Sequence, residues 1–162
     1  LFNFIINNSV KNIGEKIMKV RDVMSINPKL IQREKTIQEA AVVMRDSNIG
    51  TLLVQDDKGL IGVVSDRDLT IRSIAEGKDP KQTMIKDVMS EGVVYCSEND
   101  TLEQAAWKME DNHIRRLAVL NGENQLVGVV SVDDLAVRGG DEIRTGEVIH
   151  KVNENVISET RM

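Results

Sequence analysis

GVVSDRDL spans Gly62–Leu69, and GVVSVDDL spans Gly128–Leu135. Each reads as a β-rich run that turns straight into a helix: the serine stands where an N-cap belongs, and the aspartate three residues on completes a capping box. The chain repeats itself elsewhere in the same order. RDVMS at Arg21–Ser25 returns as KDVMS at Lys86–Ser90, and TIQEAAVVM from Thr36 returns as TLEQAAWKM from Thr101, both 65 residues later. The GVVS corner returns after 66 residues, so one residue has been inserted, in the turn after Val54 or Val119. Similarity at a fixed period marks a duplication.

Each copy carries one set of local signals. A short extended piece, Lys29–Ile31 or Val93–Cys96, precedes Thr36 or Thr101, each with Glu39 or Gln104 at capping-box spacing. Behind the cap, Ile37, Ala40, Ala41 and Met44 fall on one helical stripe, as do Leu102, Ala105, Ala106 and Met109. Two β-rich runs follow, Ile49–Val54 with Leu60–Val64 and Ile114–Leu120 with Leu126–Val130, separated by QDDKG and NGENQ. Turn residues between such runs predict an antiparallel hairpin. A second helix starts at Ser65 or Ser131 and stops by Gly77 or Gly139. The predicted fold class is therefore α+β, with two β-α-β-β-α motifs packed about a pseudo-two-fold axis, because roughly 60 residues alone bury too little surface to be stable.

Composition narrows the function. The 162-residue chain carries a net charge of −5 and only 2% aromatics. That excludes a nucleic-acid polymer as partner, since such binding rests on a basic face. There is no apolar run of about 20 residues to span a membrane, and the single cysteine, Cys96, suits a reducing compartment; a cytoplasmic location is expected. Residues 1–17 have two readings: a translated leader ahead of Met18, or an N-terminal helix. No nucleotide-binding loop, metal-ligand spacing or nucleophile elbow occurs, so no catalytic residue, no metal and no obligatory cofactor are expected.

The repeated corner has two uses. As a cap, Ser65 with Asp68, or Ser131 with Asp134, stabilises a helix start by about 0.5–2 kcal/mol. As a binding corner, the serine hydroxyl donates to a phosphate oxygen while the carboxylate accepts from both hydroxyls of a ribose.

The DVMS start, the TIQEAAVVM and TLEQAAWKM helices, the IRRLAV strand and the two GVVS corners resemble a tandem pair of CBS domains, a Bateman module. That resemblance implies a sensor of adenosyl ligands (AMP, ADP, ATP or a related compound) that forms a homodimer and signals to an effector protein. It also implies clefts shared across the pseudo-two-fold. Val63, Ser65, Arg67 and Asp68 would face Gly92, Val93, Val94, Arg115 and Arg116. Val129, Ser131 and Asp134 would face Asn27, Pro28, Lys29, Gly50 and Thr51. The Asp68 half then gathers the arginines, whereas the other half has Asp133 in place of Arg67. Arginine favours phosphate and a carboxylate repels it, so the Asp68 half is expected to be the better phosphate site. The alternative is a dimerisation or interaction module with vestigial clefts.

The resemblance divides the chain into a leader or extension (1–18), a first motif (19–77), a linker (78–85), a second motif (86–142) and a tail (143–162). His113 borders the cleft strand and has two readings, a satisfied surface or core histidine or a phosphate neighbour; Trp107, off the Ala/Met stripe, is expected at a dimer contact rather than stacked on a ligand. In the tail, Val148, Ile149, Val152 and Val156 suit a short packed helix or a frayed end.

Overall fold

The computed structural model describes residues 17–139 and 146–153. Residues 1–16, residues 140–145 and the tail beyond 153, with Val156, lie outside the described residues. In chain order the elements are α1 (Val20–Val23), β1 (Ser25–Ile26), β2 (Leu30–Gln32), α2 (Ile37–Ser47), β3 (Thr51–Asp56), β4 (Gly59–Ser65) and α3 (Asp66–Leu69). After a 3-10 turn at Ile85–Asp87 come β5 (Ser90–Glu91), β6 (Tyr95–Ser97), α4 (Leu102–Asp111), β7 (Arg116–Leu120), β8 (Leu126–Ser131) and α5 (Val132–Gly139). The class is α+β, and the duplication is visible in the order of elements.

The caps form as the spacing predicts. Thr36 accepts from the Glu39 amide while the Glu39 carboxylate takes the Thr36 amide, and Thr101 with Gln104 does the same. Lys35 also bonds Glu39, and these donors hold its carboxyl down at about 2. Each hairpin is antiparallel, with β2 and β6 added in parallel on the far side of β3 and β7.

One feature has no counterpart in the predicted order of elements. The sheets run β2-β3-β4-β5 and β1-β8-β7-β6. Each repeat therefore gives its leading strand to the other: β1 pairs with β8, and β5 pairs with β4. The turn ahead of each follows it. Val20 and Val23 sit in the core of the second repeat beside Met109, Leu117 and Val130, while Ile85 and Val88 sit in that of the first beside Met44, Leu52 and Val64.

The glycine of each GVVS run makes this exchange possible. A Cβ at Gly62 would strike the Ser90 carbonyl oxygen, and one at Gly128 would lie 2.8 Å from both the Met24 sulfur and the Ser25 carbonyl oxygen. After the borrowed strand the chain must cross back to its own sheet. Asn27 and Gly92 turn it there at φ 58 and 86, a region that glycine and asparagine enter most readily.

Two expectations need correction. The helix after β4 is not a plain α-helix: α3 runs into a π-helical turn at Thr70–Ile74, where the Ala75 amide donates to the Thr70 carbonyl and the Ser73 hydroxyl to the Leu69 carbonyl. The second alanine of the helical stripe is also buried in only one copy. Ala106 is 2% exposed, but Ala41 at the matching position is open to solvent. The 146–153 helix accounts for the difference, since it brings Val148 and Val152 into the second core.

Candidate functional site

The alternation of β4 and β8 builds the site. Val64 and Val130 point into the two cores, so Val63 and Ser65, and Val129 and Ser131, point the other way, into a space bounded by both sheets. Paired neighbours continue the wall, Leu53 opposite Val63 and Ala118 opposite Val129. The cavity holds about 600 Å³, within the range of small-molecule sites.

Most of the residues expected at the two clefts line this one cavity. From the first set these are Val63, Ser65, Asp68, Gly92, Val93, Val94, Arg115 and Arg116. From the second they are Asn27, Pro28, Lys29, Gly50, Thr51, Val129, Ser131 and Asp134. Asp68 and Asp134, expected in separate clefts, are thus two corners of a continuous space.

Arg67 is the exception. As the second residue of α3 it is exposed and outside the lining, because the helix start turns its side chain away from the face that carries Ser65 and Asp68; its amide is taken by Asp66 Oδ1 at 2.7 Å. Arg115 also departs from expectation. Its guanidinium lies 3.9 Å from Asp133, since the hairpin register sets Arg116 directly opposite Ser131 and the Val132 amide donates to the Arg115 carbonyl. An arginine assigned to the Asp68 half is therefore ion-paired at the other corner. His113 is outside the lining too; its Nδ1 lies 3.3 Å from the Lys151 carbonyl oxygen on the 146–153 helix.

The two corners have nearly the same geometry. Asp68 Oδ2 accepts the Ser65 amide at 2.9 Å and the Ser65 hydroxyl at 2.7 Å; Asp134 Oδ2 accepts the Ser131 amide at 2.9 Å and hydroxyl at 2.6 Å. Each carboxylate is held mostly out of water, and its other oxygen faces an arginine on its own helix, Arg72 at 3.4 Å and Arg138 at 3.6 Å. Those two arginines were not singled out from the sequence. Their signal was there: both follow their aspartate by four residues, in register with the duplication.

Chemically, the cavity offers hydroxyls and carboxylates for a polyol, apolar walls for a flat ring, and Lys29, Arg115 and Arg116 for an anion. Cys96 is no nucleophile here. It is buried in the second core, and burial, reinforced by Asp100, pushes its thiol up to about 12. Among the described residues, no helix is long and apolar enough to cross a membrane.

Comparison with known proteins gives the same picture. The family described as CBS domain matches twice, at residues 20–73 and 85–138. CBS domain-containing protein YhcV of Bacillus subtilis is 35% identical over 138 residues, which cover 85% of this chain and 97% of that protein. Among solved structures, the CBS domain protein TA0289 of unknown function from Thermoplasma acidophilum aligns with a TM-score of 0.74 at 25% identity, covering 85% of this chain and 77% of that one. The CBS domain pair of protein MJ0100, solved with 5'-methylthioadenosine and S-adenosyl-L-methionine, aligns with a TM-score of 0.67 at 26% identity, covering 77% and 98%. With the motif present twice, its strands exchanged and its serine–aspartate corners on one cavity, this chain belongs to the CBS-domain family.

Proposed function

We propose that the protein is a regulatory sensor that takes an adenosyl ligand into the shared cavity and signals to a partner chain. The observation that carries this reading is the pair of matching Ser65–Asp68 and Ser131–Asp134 corners on one cavity. In this reading a ribose diol donates to the Asp68 or Asp134 carboxylate, the serine hydroxyl turns to the ligand, and the adenine lies against Val63, Leu53 and Val94 or against Val129 and Ala118. Arg116 and Lys29 serve a phosphate. Arg115 does so only after leaving Asp133, and Arg67 takes no part, so the phosphate preference of the Asp68 half is weaker than the sequence alone suggests. Adenosyl compounds as a class are supported by the MJ0100 pair, which is 26% identical and holds two of them. AMP, ADP and ATP are the phosphate-bearing candidates, and the reaction is binding without chemistry.

A thermal-shift and calorimetric screen with AMP, ATP and 5'-methylthioadenosine tests the reading. Ligand at 100 times its dissociation constant adds roughly 2.7 kcal/mol of stability. Removing a charged acceptor costs about 1.5–3 kcal/mol, so Asp68→Ala and Asp134→Ala should each weaken binding at their own corner by roughly 10- to 100-fold. No shift with any of the three compounds sinks the proposal.

A second reading, a homodimer built on the helices, is favoured by a separate observation. Exposed apolar residues recur at matching positions: Val42 with Ile71 in the first repeat, and Trp107, 60% exposed, with Val137, 83% exposed, in the second. Sedimentation of the Trp107→Glu variant as a monomer, beside a dimeric wild type, is the expected result.

A further inference from the structure

The carboxylate corners are tied to the exchanged strands by one arginine each. Arg72 points Nη2 at Asp68 Oδ1 and at the same time donates through Nη1 to the Val88 carbonyl at 2.8 Å and to the Ser90 hydroxyl at 3.1 Å. Arg138 makes the matching link across the pseudo-two-fold through Nη1 alone, which lies 3.6 Å from Asp134 Oδ1 and donates to the Val23 and Met24 carbonyls at 2.7 and 3.4 Å. Val88 and Ser90 lead into β5, whose pairing with Gly62 and Val63 sets the position of the cavity wall at Gly92–Val94. Val23 and Met24 lead into β1, whose pairing with Gly128 and Val129 does the same for Asn27–Lys29. Each arginine thus touches the corner of its own repeat and the strand lent by the other.

The open carboxylate oxygen makes this arrangement responsive. An ionised carboxylate has about four lone-pair sites. At each corner the serine amide and hydroxyl occupy Oδ2, while Oδ1 only faces the arginine, at 3.4 Å for Arg72 and 3.6 Å for Arg138. Two incoming hydroxyl donors would bind on Oδ1, the oxygen that the arginine faces. They would share its charge with the guanidinium and so alter the ion pair. The arginine's position at the corner then depends on occupancy, and so does its hold on the lent strand.

We propose that Arg72 and Arg138 are positioning residues that couple occupancy of each serine–aspartate corner to the strand crossing over from the opposite repeat. This rests on the adenosyl reading of the cavity. The coupling is specific to the half of the molecule: Arg72 reports Asp68 to residues 88–91, and Arg138 reports Asp134 to residues 23–26. It is also reciprocal, as any equilibrium coupling must be. The Asp68 side is the stronger, because Arg72 has a serine hydroxyl as its third contact where Arg138 has a longer bond to a carbonyl.

The test is amide hydrogen exchange on the full chain with AMP, and separately with 5'-methylthioadenosine, at concentrations shown by calorimetry to saturate each variant. In the wild type, ligand should slow exchange at both 88–91 and 23–26. In Arg72→Met, the slowing at 88–91 should be lost and that at 23–26 kept; Arg138→Met should show the reverse. Arg72→Lys, which keeps the charge without the fork, should regain only part of the effect. Ligand-dependent slowing that survives at 88–91 in a saturated Arg72→Met protein overturns the coupling. A folded Arg72→Met protein that no longer binds also overturns it, because Arg72 would then be a direct ligand contact. A wild type that binds neither compound removes the adenosyl reading itself, and this inference with it.

Discussion

The helices α2 and α4 carry nearly the same stripe, yet they live in different surroundings. On α4, Ala106 is sealed, Glu110 is 7% exposed with Lys151 Nζ 3.0 Å away, and Val148 and Val152 close the layer from the 146–153 helix. On α2 the matching Ala41 and Arg45 face water, and Arg45 pairs with its neighbour Asp46. A duplicated pattern therefore fixes what each helix turns toward its own sheet, through Ala40 and Met44 or Ala105 and Met109. It does not fix what covers the outer flank. That depends on a segment outside the repeat.

Matched substitutions in the two copies sharpen this contrast. Glutamate at the sealed position is the most severe, because a charge would enter a packed core. Ala106→Glu should lower unfolding free energy by at least about 3 kcal/mol, against about 0.5 kcal/mol or less for Ala41→Glu; equal losses in chemical denaturation would show that α2 is covered after all. Next comes the layer itself. Val148→Ala removes two buried methyl groups and should cost about 1.5–2 kcal/mol, whereas Val42→Ala on the exposed flank should cost about 0.5 kcal/mol or less. The caps should then behave alike: Thr36→Ala and Thr101→Ala should each cost about 1 kcal/mol, and a clear difference between them would show that the flanking layer reaches as far as the first turn.

The remaining contrast appears only at high pH and is carried by Cys96, whose counterpart in the first copy is Ile31. The folded pKa of Cys96 is raised from 9.0 to about 12, so the unfolded chain gives up this proton first. The stability it confers is complete below pH 9 and is lost progressively as pH rises from 9 toward 12. Comparing denaturation midpoints of wild type and Cys96→Ala over that interval should show the wild type losing ground with rising pH. A constant difference between the two would refute it.

What could be read in the sequence was local. The capping boxes at Thr36 and Thr101, the hairpins and the two corners follow from spacings of a few residues, and the duplication confirmed each by repeating it. The strand exchange was hidden because β1 and β5 are two residues long and carry no periodicity of their own. The clue was indirect: a glycine at 62 and at 128 inside runs of valine has a reason only if another backbone lies against it. The site was legible residue by residue but not as a whole. Ser65, Asp68, Ser131 and Asp134 stood out from the repeat, whereas their sharing of one cavity depends on how the two sheets meet. Arg115 lines the cavity, but its ion pair with Asp133 was not legible for the same reason, since it follows from the register of the β7–β8 hairpin. Ala41 was expected to be buried from its place on the helical stripe, although the cover at the matching Ala106 comes from beyond the duplication.

The lent strands bear on how the two halves of the chain depend on each other. A cut in the linker near Gly77 would leave one fragment without β5, Ile85 and Val88 and the other without β1, Val20 and Val23. Each fragment would then display a vacant sheet edge and a gap in its core that only the other fragment fills. The protein is in this sense a complementing pair of polypeptides joined by a tether, and a nicked chain would hold together as a two-piece complex. The same geometry lets two intact chains trade halves, so that a dimer could arise by exchanging repeats rather than by adding a surface.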